Sequence, residues 1–210
     1  MSKTMYDYER DLLKNGHQFI AGCDEVGRGP LAGPLVAAAV ILDPFNKIEG
    51  LNDSKKLSEK KRELLSKEIK EKALAYEVTY IYPAEIDKIN VYQASKKAMI
   101  ESIKALKIKP TYVLSDAMPL NELGIPYLSI IKGDAKSATI AAASIIAKVE
   151  RDHYMIELSK KYPEYGFERH KGYPTKMHIE ALKKYGVLDV YRKTYKPVYD
   201  LLNEQIKIDI

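Results

Sequence analysis

The feature that most constrains this chain is a set of short apolar runs that each lead into acid. Residues 19–23 run into Asp24 and Glu25, residues 111–114 into Ser115 and Asp116, and residues 127–131 into Lys132, Gly133 and Asp134. Short apolar runs bounded by turn residues read as strands. Between them lie segments with helical spacing: 58–73, with Leu64, Leu65 and Ile69 on one face, then 91–107, then the long stretch that ends before Pro163. Strands alternating with helices predict an α/β fold with helices against a sheet. Ligands of such sheets gather beyond strand ends, so acids ending three strands are candidates for one site. Taken singly, each is equally a solvated turn acid.

Asp24 and Glu25 are neighbours, and strand neighbours start toward opposite faces. Both reach one site only if the chain turns there. Two like charges about 4 Å apart repel by roughly 4 kcal/mol at an effective dielectric near 20, so a close pair needs a cation. The loop that follows holds Gly27, Arg28, Gly29 and Pro30, then Gly33 and Pro34. It offers bare backbone N–H groups, one cation and little bulk, a concavity for anions or hydroxyls. The glycines are spaced GxGxxxG and lead into the strand-like run 35–42, so a dinucleotide-binding loop, which is spaced GxGxxG and opens a helix, is a poor match. Carboxylates beside such a cradle suggest a divalent metal next to a nucleic-acid backbone, and oxygen-only ligands favour Mg²⁺ or Mn²⁺.

The remaining sequence bounds the class. Two hundred and ten residues, 46% of them hydrophobic, suffice for one domain with a sizeable core. A formal net charge of +5 favours a polyanionic partner. The single cysteine, Cys23, excludes an internal disulfide and reads as a small buried hydrophobe. No run is long enough to span a membrane, and the N-terminal segment is charged throughout, so a cytoplasmic protein without a signal peptide is expected. Asp53, Ser54 and Lys55 read as a loop before a helix capped by Ser58. Beyond Pro163 the chain turns basic, with Arg169, Lys171, Lys176, Lys183, Lys184, Arg192, Lys193 and Lys196 interleaved with Tyr165, Tyr173, Tyr185, Tyr191 and Tyr195. One reading is a helical cap; the other is a ledge that holds phosphates and stacks a sugar or base.

In combination, CDEVGRGPLAG, DSK, KGD before the AAASIIAKVERD string, and HKGYPT resemble the signature of type 2 ribonucleases H, specifically the bacterial ribonuclease HII family, over about residues 19–186. The resemblance implies a ribonuclease H-like mixed sheet flanked by helices, with a small C-terminal helical extension. It implies a catalytic core over 1–162 and a helical region over 163–210 completing the substrate cleft, one functional domain overall. Asp24, Glu25, Asp116 and Asp134 match the family's four catalytic acids and would hold two Mg²⁺ or Mn²⁺ ions. Gly27, Arg28, Gly29 and Tyr173 would sense the 2′-hydroxyl at the cleavage point, and Lys55 would meet a phosphate. The expected substrates are RNA–DNA hybrid and duplex DNA with embedded ribonucleotides, cut on the 5′ side to leave 3′-hydroxyl and 5′-phosphate ends. A monomer is expected. The extra N-terminal domain of ribonuclease HIII has no counterpart in the motif order, and residues 203–210 show no aromatic pair of a sliding-clamp motif.

Overall fold

The structure, a computed structural model, describes residues 4–208. The expectation about residues 203–210 and the start of the N-terminal segment fall partly outside the described residues. The chain gathers into two compact units. One comprises residues up to Val26, Val36–Tyr80 and Ser95–Val149, and the other Gly27–Leu35, Ile81–Ala94 and the chain from Glu150 on.

The first unit is built on the sheet. In chain order the elements up to residue 161 are helix α1 (Asp7–Lys14), strands β1 (Ile20–Val26) and β2 (Leu35–Ile41), helix α2 (Glu59–Lys72), strand β3 (Ala75–Ile81), helices α3 (Pro83–Ile89) and α4 (Val91–Ala105), strands β4 (Tyr112–Asp116) and β5 (Tyr127–Ile130), and helix α5 (Ala138–Lys161). At the unit margins, α3 and the start of α4 belong to the second unit, as does α5 from Glu150 on. The five-stranded sheet has the order β3-β2-β1-β4-β5, with β1 antiparallel to β2 and parallel to β4, and β4 parallel to β5. This is the mixed α/β sheet that the sequence leads one to expect. Ser58 caps α2 as read from sequence, its hydroxyl accepting from the Lys61 N–H at 3.3 Å.

The core follows from side-chain size. Strand β2 is buried along its whole length. Its alternate residues Val36, Ala38 and Val40 pack with Ala138, Ala141, Ala142, Ile145 and Ile146 of α5 and with Leu65 and Ile69 of α2. The alanines let α5 lie close to the sheet. Closest of all is Gly22 of β1, where a Cβ would stand 2.1 Å from the Thr139 carbonyl carbon, so no larger residue fits under the first turn of the helix. That turn is tied down by α1. The buried Glu9 carboxylate accepts from the Thr139 N–H (2.9 Å), the Thr139 hydroxyl (2.9 Å) and the Ser137 hydroxyl (2.6 Å), a negative charge at the positive end of a helix.

The second unit contains α6 (Phe167–His170), α7 (Lys176–Tyr185) and α8 (Lys196–Ile208). Leu31 and Ala32, Met155, Tyr165, Phe167, Leu182, Tyr191 and Val198 form its core, with the Tyr165 and Phe167 rings stacked at 5.5 Å. The basic, tyrosine-rich end therefore turns part of its aromatic set inward. Tyr165, Tyr191 and Arg192 are interior, because this region must build its own core from the aromatics it has, while Tyr173 and Tyr185 remain exposed. Among the described residues no helix is long and apolar enough to cross a membrane.

Candidate active site

Parallel pairing explains how the acids meet. β1, β4 and β5 run the same way side by side, and Cys23 lies opposite Ser115 in the register. The next residues, Asp24 and Asp116, thus leave adjacent strands together. Asp134 joins them from the tight turn Gly133–Ala135 that follows β5. One ligand oxygen from each of Asp24, Asp116 and Asp134 lies within 4.8 Å of the others.

Glu25 is placed differently. β1 does not turn after Cys23 but stays paired with β2 through Val26, with Asp24 opposite Ala38 and Glu25 opposite Ala37. In an extended strand the two side chains leave opposite faces, and the Glu25 carboxylate is outside the three-acid group. Its charge still acts there, as the carboxyl pKa values show. Asp24 is raised well above the usual carboxylate range, first by burial and then by the charges of Glu25 and Asp116, against hydrogen bonds from the Ser144 side chain and the Glu25 N–H. Asp134 is also raised, first by burial, then by Asp116 and Asp53. The cluster carries more negative charge than its surroundings neutralise. Three hard oxygen donors with surplus charge suit a divalent cation of the Mg²⁺ or Mn²⁺ kind.

The backbone around the cluster is specialised. Ala117, just after Asp116, and Lys132, two residues before Asp134, both adopt the left-handed region, with φ of 50° and 56°. Non-glycine residues there cost on the order of 1–3 kcal/mol and concentrate at functional sites. Gly133 donates its N–H to Asp116 Oδ1 at 2.7 Å, which fixes that carboxylate.

Sequence reading left the supports of these acids unidentified. The Ser144 hydroxyl of α5 bonds Asp24 and lies 2.9 Å from the Ser54 hydroxyl, so the DSK segment is joined to the acid cluster through α5. Asp53 caps the turn Ser54–Lys56 by accepting from the Lys55 N–H at 2.9 Å, the local role read from sequence. Its charge also raises the Asp134 pKa, and the exposed Lys55 ammonium acts on Asp134 in the opposite sense. A serine inside an alanine-rich helix was the available signal.

The glycine–arginine loop and Tyr173 belong to the second unit. Gly27 has φ +96°, and a Cβ there would stand 2.4 Å from Arg151 Nε and 2.9 Å from the Pro34 carbonyl oxygen. Gly29 is different: it is exposed, and a Cβ would meet only Tyr173 Cε1, at an ordinary 3.6 Å. Tyr173 is held from behind. The His178 Nδ1–H donates to the Tyr173 carbonyl at 2.8 Å, and His178 Nε2 accepts from the Tyr191 hydroxyl at 2.8 Å. The carbonyl can only accept, which settles the tautomer. His178 is therefore a neutral structural imidazole, and burial lowers its pKa to about 4.

A sequence profile described as ribonuclease HII matches residues 21–200. The chain belongs to the ribonuclease HII family. A curated ribonuclease HII of Bacillus cytotoxicus is 56% identical over 202 residues, covering 96% of this chain and 78% of the relative. Among solved structures, ribonuclease H2 from Pyrococcus horikoshii matches with a TM-score of 0.80 at 30% identity, over 90% of this chain and all of that one. The ribonuclease HII of Archaeoglobus fulgidus, solved in complex with PCNA, matches at 0.74 with 31% identity, over 85% of this chain and 95% of that one. As a ribonuclease HII family member, the chain is a nuclease hydrolysing RNA in RNA–DNA hybrids, and its fold is ribonuclease H-like.

Proposed function

We propose that this ribonuclease HII family member is a divalent-metal-dependent endonuclease. It cuts RNA within RNA–DNA hybrids and on the 5′ side of single ribonucleotides embedded in duplex DNA, leaving 3′-hydroxyl and 5′-phosphate ends, and so removes ribonucleotides from DNA. The observation that carries this reading is the convergence of Asp24, Asp116 and Asp134 oxygens within 4.8 Å at the ends of parallel strands.

Asp24, Asp116 and Asp134 would hold two Mg²⁺ or Mn²⁺ ions, and Glu25, whose carboxylate lies outside their group, would add its charge to the site. When bound, such ions polarise the scissile phosphate, lower the pKa of a water and neutralise the leaving oxygen. The chain's own groups bind and orient. Gly133 and Ser144 fix the carboxylates of Asp116 and Asp24. The exposed Lys55 ammonium is available to a substrate phosphate. At Gly29 the absence of a side chain lets a sugar edge approach the Gly27, Arg28 and Gly29 backbone. Tyr173, 40% exposed beside Gly29, offers a ring face to the adjoining nucleotide. The 2′-hydroxyl is the group that distinguishes RNA from DNA there.

Asp116→Asn tests the reading because an amide oxygen can still accept from Gly133 while the charge is gone. Cleavage of a duplex with one embedded ribonucleotide should fall to background. The rise in melting temperature on adding Mn²⁺ should shrink with it. A folded variant with near-normal turnover would end the assignment.

A further inference from the structure

The loop that carries Gly27, Arg28 and Gly29 is fastened by a side chain that is itself wholly buried. Arg192 is 0% exposed. Its Nη2 donates to the carbonyls of Gly27 (2.6 Å) and Gly33 (3.0 Å), its Nη1 to the carbonyl of Arg28 (3.0 Å) and the Tyr195 hydroxyl (3.0 Å), and its Nε to Gly33 (3.3 Å). The Tyr195 hydroxyl in turn donates to the Arg28 carbonyl at 2.6 Å. A guanidinium offers five N–H groups in a planar fork, and here the fork is spent on backbone.

A trans peptide sets its C=O and N–H on opposite sides of one rigid plane, and there are no cis bonds among the described residues. The Gly27 carbonyl shares its plane with the Arg28 N–H, and the Arg28 carbonyl with the Gly29 N–H. Drawing both carbonyls onto Arg192 therefore turns both N–H groups away from it. A glycine peptide rotates easily, so without this clamp the two amides have no fixed direction.

We propose that Arg192, assisted by Tyr195, is a positioning residue for ribose discrimination: it never touches substrate, but aims the Arg28 and Gly29 N–H groups at the 2′-hydroxyl. This rests on the reading that the loop backbone meets that hydroxyl. Neither residue lies in the quoted family motifs, and sequence alone places Arg192 in a helical cap or a phosphate-binding ledge.

The test uses the full chain and steady-state cleavage of a duplex with one ribonucleotide, with the matching all-DNA duplex as competitor. Arg192→Lys keeps the charge and loses the fork; Tyr195→Phe removes only a hydroxyl and keeps the ring. The Arg192 variant should raise KM for the ribonucleotide duplex about tenfold, and Tyr195→Phe should raise it less, while the Ki of the all-DNA duplex stays at the wild-type value. A folded variant whose KM-to-Ki ratio is unchanged, or in which both constants rise together, overturns the proposal. If Arg192→Lys does not fold, Tyr195→Phe decides alone by the same ratio. Wild-type protein with no preference for the ribonucleotide duplex would defeat the underlying reading and the proposal with it, a result visible before any variant is made.

Discussion

Two of the loop glycines after β1 answer to different demands. Gly27 has a left-handed backbone and sits against Arg151 and Pro34, so the fold itself requires glycine. Gly29 has no such need, and on the proposed function its missing side chain admits the substrate. Gly27→Ala should therefore lower unfolding free energy by about 2 kcal/mol or more. Gly29→Ala should melt like wild type yet lose on the order of tenfold to a hundredfold in cleavage at a single ribonucleotide. Paired melting and rate measurements check this, and a Gly29→Ala protein that is both stable and fully active would remove the loop from recognition. At this scale the sequence was informative about identity and poor about direction. Asp24, Asp116 and Asp134 could be picked out because acids after apolar runs are conspicuous. The inward role of Arg192 could not, because a buried arginine and a surface arginine are spelled alike.

Among the elements, β1 and α5 define each other. The strand was expected to stop at residue 23, since carboxylates ordinarily mark turns. Pairing with β2 holds the chain extended to Val26 instead, and such long-range pairing leaves no local trace. Helix α5, in contrast, was legible as a long helical stretch ending before Pro163, and its small residues are what let it lie close to the sheet. The Gly22 contact makes that approach measurable. Gly22→Ala places a methyl 2.1 Å from the Thr139 carbonyl carbon, and backbone cannot yield as a flexible side chain would. Denaturant titration should report a loss of roughly 2–3 kcal/mol. A loss under 0.5 kcal/mol would mean that the helix shifts freely over the sheet.

For the molecule as a whole, the two units are each assembled from separate stretches of chain. Residues 27–35 and 81–94 fall in with the C-terminal part, a grouping that reading along the sequence cannot supply. Stability should also carry a pH signature from the second unit. His178 is neutral in the fold with a pKa of about 4 against an ordinary 6.5, and His170, stacked on it at 4.1 Å, is lowered too, first by burial. Below 6.5 the unfolded chain binds protons that the folded one refuses. The contribution is thus complete above pH 6.5 and is lost as pH falls toward 4, amounting to up to roughly 3 kcal/mol for His178. Unfolding free energies from pH 4 to 7.5 should slope more steeply in wild type than in His178→Gln. Equal slopes would show that the imidazole titrates freely in the fold.

One consequence of the Gly22–Thr139 contact concerns misalignment. Sliding β1 by a single position would exchange Asp24 for Glu25 on the inner face and swap every neighbour across the sheet. It would also drive Ala21 or Cys23 into the spot that tolerates only a hydrogen. The glycine therefore works as an index notch, and an insertion or deletion before β1 has to be absorbed in the connection to α1, never by letting the strand creep.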